Sequence, residues 1–122
     1  LEIALTVAFF MGDGNMWVCL NDAFLSIVDD GEVDGSLVVR ARRKGDIESV
    51  FPGAKGKTLR GRDYQFRAHI KREVVAEAIA KNIMDIDYNN FKNSVADNDL
   101  HHAYHGFWDI HARLQPKRPY TM

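Results

Sequence analysis

The amino-acid sequence predicts an α+β protein, an antiparallel sheet with helices packed on one of its faces as a two-layer sandwich. Three patterns carry that expectation. In residues 64–71, Tyr64, Phe66, Ala68 and Ile70 alternate with Gln65, Arg67, His69 and Lys71, the period of a strand with one dry face. The period then changes at once: Val75, Ile79 and Ile83 recur every fourth residue among alanines, the stripe of an amphipathic helix over 72–84. Short β-favouring runs fill the N-terminal third, separated by turn residues rather than by helix-length segments.

The opening residues 1–11 are mostly apolar. No Lys or Arg precedes Arg40, so the positive start of a secretory signal is missing. The run also falls short of the roughly 20 apolar residues that cross a bilayer. Residues 1–15 are expected to be an N-terminal extension, closed by the turn-forming Gly12, Asp13, Gly14 and Asn15. With no repeat and no Pro-, Ser- or Gly-rich linker beyond it, 16–114 is expected to be a single domain and 115–122 a C-terminal tail.

Within that domain Met16, Trp17, Val18, Cys19 and Leu20 form one strand-like run and Phe24, Leu25, Ser26, Ile27 and Val28 a second, with Asn21, Asp22 and Ala23 as the turn between them. The acids Asp29, Asp30, Glu32 and Asp34 around Gly31 and Gly35 read as a solvated loop. Leu37, Val39 and Ala41 alternate with Val38, Arg40 and Arg42 as a third strand. A short helix over 46–51 starts on Asp46 and stops at Pro52 and Gly53, and a strand region leads into 64–71. After the long helix, 87–95 has room for one or two turns with Phe91 and Val95 inward. The last helix finds its N-cap among Asp97, Asn98 and Asp99, carries Leu100, Ala103, Phe107, Ile110 and Leu114 on one stripe, and ends before Pro116.

The formal net charge of −1 conceals a strong polarity. Residues 1–39 hold seven acids and no Lys or Arg, whereas 40–72 hold eleven bases against three acids. If the helices cover the Tyr64, Phe66, Ala68 and Ile70 face, then Arg67, His69 and Lys71 project from the other, joined by Arg40 and Arg42 should their strand be a neighbour. Such a face has the charge to hold phosphates. It lacks stacking rings for bases, because Tyr64 and Phe66 are expected to point toward the helices. Docking to an acidic protein, backbone-type nucleic-acid binding and simple pairing with the molecule's own acids are all compatible with it.

Catalytic and cofactor motifs are weak by comparison. Gly56, Lys57 and Thr58 match the end of a phosphate-binding loop, but the motif's first glycine would fall on Phe51, and a strand follows where a helix is required. His101, His105 and Asp109 lie four apart on the last helix, a spacing that can share a metal. The glutamate of a zinc-protease helix is missing, and the third ligand would have to come from residues such as His69 or Asp99, so surface histidines are the simpler account. The single cysteine, Cys19, sits in an apolar strand where a small buried hydrophobe is expected, and no serine occupies a Gly-x-Ser-x-Gly turn. The expectation is no enzyme, no cofactor, no membrane partner and a reducing, cytoplasmic compartment.

Several stretches carry a resemblance: Met16, Trp17 and Val18; residues 21–28; residues 37–42; residues 45–48 through Phe51 and Pro52; residues 63–68; residues 86–92 with Ser94 and Val95; and Ala103, Tyr104 and Trp108. Over 16–113 the chain resembles a family of short proteins of unassigned activity from bacteria and their phages and mobile elements. The resemblance implies a protein that acts stoichiometrically on a host protein or protein complex. By analogy with anti-CRISPR inhibitors, the target would be a nucleic-acid-handling complex. The expected function is a non-catalytic protein-binding module, with a nucleic-acid-binding module and a metal-binding helix as alternatives. Its surface would be the charged face of Arg40, Arg42, Arg67, His69 and Lys71, with Tyr88, Lys92, Tyr104 and Trp108 as further anchors.

Overall fold

A computed structural model of the chain describes residues 15–116. The expected extension over 1–15 lies outside the described residues except for Asn15, which pairs with Val28 at the start of the first strand. The expected tail is described only as far as Pro116. Contacts divide the chain into two compact units, with the boundary in sequence between Ile86 and Asp87.

The first unit is built on strands β1 (Asn15–Cys19), β2 (Phe24–Asp29), β3 (Ser36–Ala41), β4 (Lys57–Thr58) and β5 (Phe66–Lys71). They form one antiparallel sheet in the order β1-β2-β3-β5-β4, so the protein is α+β as its sequence predicts. Two helices belong to this unit, α1 (Asp46–Val50) and α2 (Arg72–Met84). Gly45, at φ 95°, turns the chain from β3 into α1, a left-handed conformation that a side chain would strain. No loop separates β5 from α2: Lys71 keeps extended backbone angles and Arg72 is already helical, with its N–H donating to the carbonyl of Gly35.

The alternation read from the sequence decides which face is dry. Leu25 and Ile27 of β2, Val39 and Ala41 of β3 and Ala68 of β5 pack with Ile47 of α1, Phe51 just beyond it and Val75 of α2. Both helices thus pack on one face; on the opposite face Phe24 and Ser26 are buried, while Trp17, His69 and Lys71 are exposed. Farther along α2 the stripe emerges from the core. Ile79 and Ile83 line an apolar groove of about 540 Å³, together with Met16, Ile27, Leu37 and Val75.

The second unit holds α3 (Phe91–Ser94), α4 (Asn98–His111) and a 3-10 turn at Ala112–Leu114. The Asn90 side chain caps α3 by accepting from Asn93 N–H at 3.2 Å, and Asp97 caps α4 by accepting from Leu100 N–H at 2.9 Å. The expected stripe of α4 needs correction. Leu100 and Tyr104 are buried, while Ala103, Phe107, Ile110 and Leu114 are exposed. An aromatic series explains the difference, with ring centroids 5.8 Å apart for Tyr88 and Phe91, 5.3 Å for Phe91 and Tyr104, and 5.9 Å for Tyr104 and Phe107. Tyr104 sits in the middle of that series and turns the buried line of α4 onto itself.

Candidate functional site

Strand register assembles the face opposite the two helices. Cross-strand partners share a face, and pairing of Trp17 with Ser26, Ser26 with Arg40, Arg40 with Arg67 and Arg67 with Lys57 draws one row across all five strands. Val28, Val38 and His69 form the next row, and Ser36 pairs with Lys71 beyond it. Arg40, Arg67, His69 and Lys71 therefore share the face that the sequence assigned to them. Trp17, 64% exposed, stands at its β1 end with its ring edge-on to Phe24 at 5.9 Å.

Tyr64 departs from the expected alternation. β5 begins only at Phe66, so the two-residue period does not extend back to Tyr64. Its buried ring lies under two guanidiniums instead, with the Arg40 carbon 4.7 Å and the Arg42 carbon 4.1 Å from the ring centroid. The ring faces are given to arginine, a favourable cation–π geometry. Tyr64 thus orders the basic face from beneath.

Fixed carboxylates neutralise part of this charge. Arg42 donates to Asp63 at 3.0 Å, a bond that raises the arginine's pKa, and Arg72 donates to Asp29 at 3.1 Å. His69 Nδ1 lies 2.6 Å from Asp30 Oδ2, whose side chain is only 1% exposed. Among the described residues Arg40 and Arg67 find neutral acceptors only: Arg40 donates to the Ser26 hydroxyl at 2.7 Å and Arg67 Nε to the Tyr64 carbonyl at 3.2 Å. Arg40 Nε is sealed from water without any acceptor. Burial, and then the nearby charges of Arg40 and Arg62, push the Arg67 pKa below the usual arginine value.

Asp30 also accepts the N–H groups of Glu32 and Val33 at 3.0 and 3.1 Å, which ties the acidic loop into an Asx turn. The His69 hydrogen bond, partly opposed by burial and assisted by those two amides, holds the Asp30 carboxyl below the ordinary carboxylate range. Its folded pKa is thus depressed, so its stabilising contribution is present above the unfolded value and is lost as pH falls through the folded one. Asp30→Asn is expected to lower stability at neutral pH and to flatten the acid limb. Denaturant unfolding from pH 7 to pH 2 measures it; an acid limb of unchanged slope would contradict the assignment.

The remaining candidates are placed as follows. Lys92 Nζ stands 4.0 Å from the centroid of the Trp108 ring, and His105 stacks on that same ring at 5.8 Å. Tyr88 is half-buried and Tyr104 is buried, so Tyr104 offers no exposed ring as an anchor. His105 is committed to the tryptophan and Asp109 lies 3.5 Å from Arg113. Among the described residues no three His, Cys, Asp or Glu side chains come together as a metal site. Cys19, expected inside, is exposed at the end of edge strand β1, because its alternate position faces the side of the sheet opposite α1 and α2. Partial burial nonetheless pushes its thiol pKa up, which lowers its reactivity.

Sequence reasoning missed Trp17, Ser26 and Lys57 as members of the row. Ser26 had a readable signal, a lone hydroxyl between Leu25 and Ile27 in an apolar strand. Fold and site together define an α+β protein whose sheet face opposite α1 and α2 carries an arginine pair with no carboxylate partner among the described residues. No family model, curated protein or solved structure matches the chain. No helix among the described residues is long and apolar enough to cross a membrane.

Proposed function

We propose that the protein is a non-catalytic protein-binding module that seats an acidic protein surface on the sheet face opposite α1 and α2. The observation that carries this reading is the row Trp17, Ser26, Arg40, Arg67 and Lys57. It combines an exposed tryptophan with rigidly held arginines, the residue types that dominate protein interfaces. The exposed carboxylate of Asp63 stands beside these bases, bonded to Arg42 at 3.0 Å. A continuous phosphate backbone would meet that acid along its track, whereas a protein surface can match both signs. The biological role we propose is stoichiometric inhibition of a host nucleic-acid-handling complex, as anti-CRISPR proteins act. Its support is the resemblance to proteins of phages and mobile elements.

One observation favours nucleic acid as the second reading. Lys55, Lys57, Arg60 and Arg62 are all exposed, with no acid among them before Asp63. Affinity capture from the native host, with wild type and the Arg40→Glu/Arg67→Glu variant as baits, separates the two. The protein reading expects a partner depleted at least about tenfold by the double reversal and also weakened by Trp17→Ala. Binding of random duplex or single-stranded DNA that falls steeply with salt, without a reversal-sensitive protein, would replace it with the second reading.

A further inference from the structure

We infer that Arg40 and Arg67 form a clamp for one carboxylate of the acidic partner surface, an inference that rests on the protein-binding reading. The two residues are direct cross-strand partners, both partly exposed, a placement that is destabilising for like charges. Each guanidinium is nevertheless fixed in place. Arg40 is held by the buried Ser26 hydroxyl below and by the Tyr64 ring against its flat face. Arg67 is held through its Nε by the carbonyl of Tyr64, which leaves both of its terminal nitrogens uncommitted. Among the described residues neither arginine has a carboxylate partner, although Arg42 beside them has Asp63 and Arg72 has Asp29.

The arrangement has the makings of a preorganised anion site. Two planar donors are oriented in advance, so little rotamer entropy remains to be lost when an acceptor arrives. Arg40 is partly desolvated, its Nε shut away from water, so an approaching anion meets a cation that water stabilises less than usual. Arg67 sits close to Arg62 as well as Arg40, which adds to the local positive field. A carboxylate matches because its two oxygens can take one N–H from each guanidinium or a forked pair from one. The trade is specific: the folded protein tolerates repulsion that only a bound anion relieves.

That trade sets the test. Wild type, Arg67→Gln and a charge-matched control, Lys44→Gln on the exposed turn after β3, are melted at low salt. Each is melted alone, with a hexaglutamate peptide, with inorganic phosphate, and with potassium chloride of equal ionic strength. The clamp predicts that Arg67→Gln melts at the same temperature as wild type or higher without anion, because a repulsion is removed. It also predicts that the peptide raises the melting temperature of wild type and of Lys44→Gln saturably, and that Arg67→Gln loses most of that shift. A lower melting temperature for Arg67→Gln alone would make Arg67 a structural residue and overturn the clamp. Equal shifts in all three proteins would assign the effect to screening and overturn it too. A shift with phosphate but none with hexaglutamate would overturn the carboxylate assignment. The peptide experiment needs no natural partner, so a failed clamp and a failed protein-binding reading are told apart by the melts and the capture.

Discussion

Leu25→Ala lowers the unfolding free energy by about 3 kcal/mol, within the range of about 2–5 kcal/mol typical of fully buried leucine truncations. Leu25 is 0% exposed in β2, the second strand of the sheet, and belongs to the cluster that α1 and α2 close over. Its neighbours belong to different elements: Val39 and Ala41 to β3, Ile47 to α1 and Val75 to α2. None of them can follow the lost methyl groups without leaving its own hydrogen-bonded position, so much of the cavity persists. Val74→Ala, on the solvent side of α2 at 46% exposure, serves as the contrast and should change stability by no more than about 0.5 kcal/mol. Urea unfolding followed by far-ultraviolet circular dichroism reads both. A Leu25 loss below about 1 kcal/mol would mean that the sheet and helices do not close on it as described.

How much of this was legible in the chain depends on the range of the interaction that decides each feature. The β5 alternation from Phe66 onward and the start of α2 at Arg72 follow from local periodicity and are observed at those residues. Asp97 as the cap of α4 was equally readable, since its side chain needs only the amide three residues on. The ends of elements escaped, because pairing and not pattern sets them: β5 stops at Phe66 and releases Tyr64 to the arginines. The buried line of α4 escaped for a related reason, as Tyr104 is selected by Phe91 from another helix. For the site, the sequence named Arg40 and Arg67 on one face but could not show that they are opposite each other. Nor could it separate them from Arg42 and His69, whose side chains meet carboxylates 21 and 39 positions away.

Asp46→Ala is the second large loss, about 3 kcal/mol, and its cause is polar. The residue is 5% exposed at the first turn of α1, yet its carboxylate reaches across to accept the N–H of Phe24 at 3.2 Å, fastening α1 to the start of β2. Arg43 grips the same carboxylate through Nη2 at 3.1 Å and Nε at 3.4 Å. Its own carbonyl accepts the Ser49 hydroxyl at 2.8 Å, which alanine would retain. Alanine therefore removes the acceptor of a buried amide and the partner of a half-buried arginine together, and losses of about 3–5 kcal/mol accompany a broken buried pair. Asp46→Asn keeps an acceptor for Phe24 while losing the charge, so it should recover at least half of the loss. Arg43→Gln should cost less than either, because the arginine head is 37% exposed and the carboxylate keeps the Phe24 amide. The order Ala, then Asn, then Gln at Arg43, read from urea midpoints at pH 7, identifies the amide bond to β2 as the dominant contact. If Arg43→Gln matched Asp46→Ala, the amide bond to β2 would not be the dominant contact of this carboxylate.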